Sequence, residues 1–349
     1  MGWSLGTNDA ANAFGTAVAT RVVKYRTAIT IIAVMVILGA VLLGHNNIDK
    51  LSSIATNNEV VASPEDVSIA ASEGTLAELR LKSALKACII FACAAITVFV
   101  MSYLKFPVSA NQSITGAVIG WGLCHADYSN PEVMSGNISE ILEFASTWLI
   151  NPLGAALISF VLVFIVKKFI EKKLTSMNHY DIVVKVGYLA AGAFSAFSIG
   201  QNSSASVTAF YYDATAMGAN LFYGNEGFFT GARIAAIVGG LAIAIGVLTF
   251  SKRVMMTVGG EIAAISQVDG FVVIIASALT VVLMGNLMGI PVSTSQSVVG
   301  AVIGAGLVNG IKNVHFGVFK RIAIAWISSP TVAGLLTYLV ALATKGYFA

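Results

Sequence analysis

Long apolar runs recur along the whole chain, and they limit it to very few folds. Three of them are Ala28 to Leu43, Ala87 to Leu104 and Ile234 to Phe250. Such runs approach the roughly 20 residues that a membrane-spanning helix needs. Inside a bilayer, backbone N–H and C=O groups must be paired within the protein, which leaves only helices and closed barrels. The run lengths and their Leu, Ile, Val and Ala content favour helices, so the sequence predicts an all-α polytopic membrane protein.

The composition agrees with this prediction. Of the 349 residues, 57% are hydrophobic and only 11% are charged, whereas a soluble domain is typically about a quarter charged. Cations cluster at the edges of apolar runs, as at Lys167 with Lys168 and at Lys252 with Arg253. This placement is typical of positive-inside anchoring and does not indicate a nucleic-acid partner. The three cysteines form no CxxC motif and predict neither a disulfide framework nor a metal site.

One motif occurs twice in the chain. Residues 107–120 read PVSANQSITGAVIG and residues 291–304 read PVSTSQSVVGAVIG, with ten of the fourteen positions identical. Each copy begins with a proline, which has no N–H to donate and disfavours helix in the residue before it. The helix that follows, predicted to start at about Ser113 or Ser297, is too short to cross a membrane. Each copy therefore predicts a re-entrant hairpin whose tip lies near mid-membrane.

Weaker copies flank this motif in the same order. The signature at 6–18 begins GTNDAANAF and is answered by GQNSSASVT at 200–208. Downstream of the motif, WLINPLGA is answered by WISSPTVAG. Three matched blocks in one order predict two homologous halves, 1–173 and 174–349. Duplicated halves with broken helices at matching places are typical of secondary transporters built as inverted repeats.

The hairpin tips predict an anion site. At a helix start the first four backbone N–H groups lack an internal acceptor, and the positive end of the helix dipole adds to their attraction for anions. A single Ser or Thr there is as readily bonded back to its own helix, but clustered hydroxyls and amides inside a membrane indicate a polar cavity. The predicted anion-binding residues are Ser109, Gln112, Ser113, Ser293, Thr294, Ser295 and Ser297, with Asn111 and Gln296 as further candidates.

Asp9 is the one carboxylate in the repeated motifs. An ionisable residue at membrane depth indicates function, and the alternative is a helix cap at an aqueous surface. Asp9 and Asn12 share a helix face beside Asn8, and such hard oxygen ligands suit Na⁺ better than Mg²⁺ or Ca²⁺, which favour more carboxylates. The second copy is polar but uncharged. The predicted Na⁺ ligands are Asp9, Asn8, Asn12, Asn202 and Ser203, with Thr7 and Gln201 as further candidates.

These motifs resemble those of the inorganic phosphate transporter (PiT) family, whose repeated signature is close to GANDVANA. The resemblance rests on GTNDAANAFGTAV at 6–18, PVSTSQSVVGAVIGAG at 291–306 and KRVMMTVG at 252–259. It implies phosphate import by alternating access, driven by Na⁺ or H⁺, through an inverted-repeat fold in the cell membrane, and a homodimer. Two departures matter. The second signature lacks the family's Asp, and the first hairpin reads PVSANQS where a Thr-rich or His-containing version is common.

Several alternatives stay open at this point. Family members and relatives also carry sulfate, and H⁺ in place of Na⁺ would leave the architecture unchanged. An anion channel would also use two hairpins at a constriction, but Asp9 repels a permeant anion unless a cation binds with it. An enzyme is disfavoured, because the chain has no His-rich metal motif, no GxSxG elbow and no second carboxylate paired with Asp9. We therefore expect no catalytic residue and no organic cofactor.

Overall fold

The structure is a computed structural model and describes residues 1–48, 64–104, 108–125, 131–171, 176–208, 231–258, 266–288 and 292–348. The secondary structure of these residues is α-helical, with 3₁₀ turns at Gly44–Asn47 and Ile311–Asn313. The helices are α1 Gly2–Ala19, α2 Tyr25–Leu43, α3 Pro64–Glu73, α4 Leu76–Tyr103, α5 Ala110–His125, α6 Pro131–Phe169, α7 Met177–Thr208, α8 Gly231–Val258, α9 Gln267–Met288, α10 Thr294–Val308 and α11 Phe316–Phe348.

Seven helices in the described part of the chain are long and apolar enough to cross a membrane. They are α2, α4, α7, α9, α11 and the apolar portions of α6 and α8. Their outward faces carry large aliphatic side chains, such as Leu153 and Ile327, which are 61% and 68% exposed. Exposed apolar surface of this kind is stable against lipid rather than water. The predicted class, an all-α polytopic membrane protein, is confirmed.

Helices α5 and α10 correspond to the short helices predicted for the hairpins. Their 16 and 15 residues give lengths of about 24 and 22 Å, less than the roughly 30 Å hydrocarbon core of a bilayer. Each follows a break after a longer helix, α4 or α9. The prolines expected at these breaks, Pro107 and Pro291, lie outside the described residues. The two signatures, in contrast, lie within uninterrupted helices, in α1 and at the end of α7.

Both short helices begin three residues earlier than the sequence indicated, at Ala110 and Thr294 rather than at Ser113 and Ser297. The reason is N-capping by the serine that precedes each helix. Its hydroxyl oxygen accepts a hydrogen bond from the backbone N–H three residues on, at 3.2 Å in both copies. The capping residues are Ser109 and Ser293, and we call residues 108–113 the first tip and residues 292–297 the second tip.

Helices of the two halves exchange packing partners. Helix α5 of the first half packs against α11 of the second, and α10 of the second half packs against α6 of the first. The same exchange joins α1 to α8 and α7 to α2. Neither half therefore has a complete set of packing partners of its own. The division into two homologous halves and their inverted orientation both stay predictions.

Glycines bring the exchanged helices into direct backbone contact. A Cβ atom placed on Gly116 of α5 would lie 2.2 Å from the carbonyl oxygen of Pro330 in α11. A Cβ atom on Gly300 of α10 would lie 2.1 Å from the carbonyl oxygen of Pro152 in α6. No side chain fits between the two backbones at either place. The position of each short helix is therefore set by a helix of the opposite half.

A lysine from the opposite half also lies at the C-terminal end of each short helix. Lys345 of α11 donates to the Cys124 carbonyl oxygen at 3.2 Å. Lys167 of α6 stands the same number of residues after its helix proline, donates to the Asn309 side chain and lies 3.4 Å from the Asp269 carboxylate. A cation at a helix C-terminus complements the negative end of the helix dipole. Each short helix is thus contacted by the opposite half along its side and at its end.

Replacing Gly300 with Ala should destabilise the fold, because the new methyl group overlaps the Pro152 carbonyl oxygen. Overpacking of this kind costs about 1–3 kcal/mol. Thermal unfolding of the purified protein in detergent should show a lower midpoint. Gly346→Ala is the matched control, since a Cβ there meets nothing within 4 Å. Equal midpoints for Gly300→Ala and the unmodified protein would contradict the close contact.

Candidate functional site

The two tips touch each other through matching hydrogen bonds. The Asn111 amide donates to the Val292 carbonyl oxygen at 2.9 Å. In return, the Ser295 hydroxyl donates to the Val108 carbonyl oxygen at 3.3 Å. Asn111 and Ser295 occupy the same position in the two copies of the motif, and so do Val108 and Val292. The structure thus brings the two predicted hairpin tips together.

Each signature binds the tip of its own half through an asparagine. The Asn8 amide donates to the Val108 carbonyl oxygen at 3.0 Å, and the Asn202 amide donates to the Val292 carbonyl oxygen at 2.8 Å. The side-chain oxygen of Asn202 also accepts from the Val292 N–H at 2.9 Å. Both ends of the Asn202 amide are therefore occupied. Each valine carbonyl receives one donor from its own signature and one from the opposite tip.

Asp9 lies buried where α1 meets the second tip. Its carboxylate accepts from the amides of Asn8 at 3.2 Å and Asn12 at 3.4 Å, and the residue is 4% exposed. The Asn12 amide nitrogen also lies 3.2 Å from the Thr294 hydroxyl and 3.3 Å from the Ser295 hydroxyl. Within the described ranges, no Lys, Arg or His pairs with Asp9. A buried carboxylate without a basic partner needs a cation or a proton from outside the chain.

The capped helix starts leave backbone N–H groups available at both tips. In each copy, the N–H of the third helical residue bonds the capping hydroxyl, and the N–H of the fourth bonds the capping residue's carbonyl. The first two N–H groups of each helix find no acceptor in the part of the chain that the structure describes. Together with the positive ends of two helix dipoles, they can bind the oxygens of an anion. These N–H groups belong to Ala110, Asn111, Thr294 and Ser295.

Some predicted site residues turn their hydroxyls back to their own helices. The Ser113 hydroxyl donates to the Ser109 carbonyl oxygen at 3.2 Å. The Ser297 hydroxyl lies 3.1 Å from the Ser293 carbonyl oxygen. Thr7 likewise donates to the Ser4 carbonyl oxygen at 2.8 Å. The Ser203 hydroxyl lies 3.4 Å from the amide of the preceding asparagine. In this conformation Ser113, Ser297 and Thr7 stabilise helix turns instead of presenting a proton to a ligand.

Gln112 and Gln296 face a separate cavity of about 460 Å³. It lies between α6, α10 and α11, and its walls include Trp148 and Trp326. Both glutamines are buried, and neither polar atom of the Gln112 amide has a hydrogen-bond partner in the described residues. The lining of this cavity contains no member of the Asp9 cluster. The structure therefore does not bring these two predicted anion ligands to the polar cluster between the tips and α1.

Asn151 of α6 contacts the second tip, although the sequence analysis did not select it. Its amide donates to the Ser293 carbonyl oxygen at 2.8 Å, and its side-chain oxygen accepts from the Ser297 hydroxyl at 2.8 Å. A signal existed, since Asn151 is an amide in an apolar run within the third matched block, next to the helix proline. Its partner, however, is far away in sequence and belongs to the other half.

Ser102 and Asn286 are two further polar residues that join the site from α4 and α9. The Ser102 hydroxyl lies 3.5 Å from the side-chain oxygen of Asn8, and Asn286 accepts from the Gln201 amide at 3.0 Å. Both stand at the same position ahead of the duplicated motif, close to the end of an apolar run. Equal placement in the two copies is the sequence signal that would have found them.

Membrane-crossing helices, two short hairpin helices and a buried polar cluster where their tips meet define a multi-pass membrane transporter. A family model described as the phosphate transporter family matches residues 5–337. This match spans nearly the whole chain, so the chain belongs to the phosphate transporter family. Its members are transporters rather than enzymes, and the chain is a multi-pass protein of the cell membrane. The implied homodimer stays a prediction.

Individual relatives match over most of their length. A protein of Pyrococcus abyssi that carries the name of a phosphate permease is 26% identical, covering 97% of this chain and 94% of its own. The sulfate permease CysP of Bacillus subtilis is 25% identical, covering 97% of this chain and 83% of its own. A solved structure described as the sodium-dependent phosphate transporter has a TM-score of 0.73 at 22% identity, covering 99% of this chain and 96% of that one. The last comparison shows a shared fold.

Cysteines placed at Val108 and Ser295 should be joined by a short bifunctional thiol reagent, because the Ser295 hydroxyl lies 3.3 Å from the Val108 carbonyl oxygen. The background is a chain whose native cysteines are replaced by alanine. Joining the tips should also stop transport, since access in such folds alternates by movement of elements around the central site. Each single-cysteine chain controls for labelling. Full labelling of both positions without crosslinking would contradict direct contact between the tips.

Proposed function

We propose that this chain imports inorganic phosphate together with Na⁺ by alternating access. The observation that carries the proposal is the buried Asp9 carboxylate, which has no basic partner in the described residues and lies against a helix start that favours anions. A negative residue beside an anion site requires a cation to bind with the anion. Family membership and the fold shared with a sodium-dependent phosphate transporter support this reading.

Phosphate is held by neutral donors at the two tips. They are the first N–H groups of α5 and α10, that of Ser295 included, and the hydroxyl of Thr294, while Ser109 and Ser293 contribute by capping the helices. The Ser295 hydroxyl donates to the Val108 carbonyl oxygen in this conformation. Neither tip contains Lys or Arg. Hydrogen bonds from neutral donors to a charged acceptor are worth roughly 1.5–3 kcal/mol each. Several of them bind phosphate while still allowing its release on the other side of the membrane.

Na⁺ binds at Asp9 in this proposal. The Asp9 carboxylate and the hydroxyls of Thr294 and Ser295 supply oxygen atoms at this position. Asn8 and Asn12 present their amide nitrogens to it in this conformation, so their side-chain oxygens become ligands only when these amides turn. Because both hydroxyls also stand at the second tip, the cation and the anion share neighbours. The carboxylate supplies the charge that a monovalent cation neutralises.

The other predicted Na⁺ ligands, Asn202 and Ser203, are not available to a cation in this conformation. The Asn202 oxygen already accepts from the Val292 N–H, so it becomes available to a cation only when the second tip moves. The Ser203 hydroxyl is fully buried next to Asn202. These two residues are proposed as ligands of a site that completes during the transport cycle.

The coupling between the two ions follows from Coulomb's law. At about 5 Å and an effective dielectric constant near 20, Asp9 and one phosphate charge repel each other by roughly 3 kcal/mol. That repulsion alone lowers affinity by about a hundredfold. A Na⁺ ion between them replaces the repulsion by two attractions. Each ion therefore raises the affinity for the other by the same factor.

Asp9→Asn should abolish concentrative phosphate uptake and remove most of the Na⁺ dependence of phosphate binding, because the amide keeps the size of the side chain but not its charge. Labelled phosphate uptake and equilibrium binding are measured at several Na⁺ concentrations. Asp269→Asn is the matched control, since Asp269 is also buried but pairs with Lys167 outside the site. Accumulation against a gradient with unaltered Na⁺ dependence in Asp9→Asn would overturn the coupling role.

Proteoliposomes with separately imposed gradients distinguish the driving ion and the substrate. Under the proposal, an inward Na⁺ gradient drives labelled phosphate uptake, a pH gradient alone does not, and excess sulfate fails to compete. The relationship to the sulfate permease of Bacillus subtilis makes sulfate uptake the second candidate function, with H⁺ as the alternative driving ion. Sulfate accumulation driven by a pH gradient would support that function and contradict the first.

A further inference from the structure

The two tips are held unequally by the helices that pack behind them. Asn151 in α6 and Ser329 in α11 occupy the same place in the two halves, each one residue before the helix proline. Both are buried, at 1% and 0% exposure. Asn151 bonds the second tip twice, whereas the Ser329 hydroxyl has no hydrogen-bond partner in the described parts of the chain. The duplication therefore contains one clamped tip and one tip without this clamp.

The neighbours of Asn151 determine how its amide is oriented. The Ser293 carbonyl oxygen can only accept, so the atom 2.8 Å from it is the Asn151 nitrogen. The Asn151 oxygen therefore faces the Ser297 hydroxyl, which donates to it at 2.8 Å. That hydroxyl carries a single proton, and its other neighbour, the Ser293 carbonyl oxygen at 3.1 Å, is also an acceptor. Ser297 consequently has no proton left for an anion while this clamp is closed.

The clamp acts on the first turn of α10, which presents the anion-binding N–H groups. It ties both the capping residue and the residue four positions later to α6 of the opposite half. One residue beyond Asn151, the Pro152 carbonyl touches the α10 backbone at Gly300, so α6 offers a rigid support. The same turn carries Thr294 and Ser295, whose hydroxyls contact Asn12. A shift of this turn displaces the donors for the anion and the neighbours of Asp9 together.

We infer that Asn151 is a positioning residue, which fixes the second tip for phosphate binding through Ser293 and Ser297 without touching the anion. The inference rests on the proposed function and deepens it. It also reassigns Ser297 from an anion ligand to a part of the clamp. Ser329, at the equivalent position, has no such role at the first tip.

The test compares the two equivalent positions in proteoliposomes that take up labelled inorganic phosphate. Asn151→Ser gives α6 the side chain that α11 carries, and it should raise the phosphate KM by about tenfold with the maximal rate per folded protein little changed. Asn151→Asp should be worse, because a second oxygen then faces the Ser293 carbonyl. Ser329→Ala should leave KM unaltered. An unchanged KM in Asn151→Ser, or an equal rise in Ser329→Ala, would overturn the inference.

A double-mutant cycle tests the route through Ser297. Each substitution alone should raise KM by some factor relative to the unmodified protein. If Asn151 acts by holding the Ser297 hydroxyl, the increase in the Asn151→Ser, Ser297→Ala chain should be well below the product of the two separate factors. Effects that multiply independently would contradict the clamp. If Asn151→Ser and Ser297→Ala lowered the maximal rate or the amount of folded protein equally and left KM unchanged, the role of Asn151 would be purely structural. That result would also contradict the clamp.

A measurement without phosphate separates this inference from the proposed function. In a chain whose native cysteines are replaced by alanine, Ser295→Cys should react with a small thiol reagent about tenfold faster when Asn151→Ser is added, because the turn opens more often. Adding Ser329→Ala instead should not change the rate. If the unmodified protein takes up no phosphate, the proposed function fails, while faster labelling still supports the clamp. Equal labelling rates would refute the clamp.

Discussion

Two helices begin inside this membrane protein, and the backbone groups ahead of them need partners that lipid cannot provide. The carbonyl oxygens of Val108 and Val292 show how the need is met. Each accepts one hydrogen bond from the signature asparagine of its own half and one from the opposite tip. These four bonds join both signatures and both tips into one unit. The position of Asp9, one residue after Asn8, follows from that arrangement, and so does its contact with the second tip.

At equivalent positions of the two sequence repeats, some side chains differ in chemical type. The carboxylate of Asp9 in α1 corresponds to the hydroxyl of Ser203 in α7, and the amide of Asn151 in α6 corresponds to the hydroxyl of Ser329 in α11. In both comparisons the first half has the longer side chain, and the second half has a serine. Asp9 lies beside the second tip, and Asn151 forms hydrogen bonds with it. Packing between the two halves brings both tips together. In the proposed function, a few unequal side chains give the two tips different roles.

The sequence was sufficient to predict the class, the short helices and most members of the central cluster, because identical residues at equal offsets are visible without a structure. It could not show which hydroxyls bond back to their own helix, since Ser295 and Ser297 have the same side chain and differ only in the direction they face. Asn151 escaped prediction for another reason. Its partners lie in the opposite half, and no local pattern indicates that α6 packs against α10. The predicted helix starts were three residues late, because Ser113 and Ser297 have the same side chain as the capping serines four residues before them.

The exchange of packing partners has a consequence for how the chain is made. Helix α1 packs against α8, which begins only at Gly231. At the roughly 5–20 residues per second of protein synthesis, about ten to fifty seconds pass between the emergence of the two helices. During that interval α1, with its carboxylate and two asparagines, has neither α8 nor the second tip to pack against. The early helices must therefore be shielded by the insertion machinery or by one another, and the first half cannot reach its final packing before the ribosome has nearly finished the second.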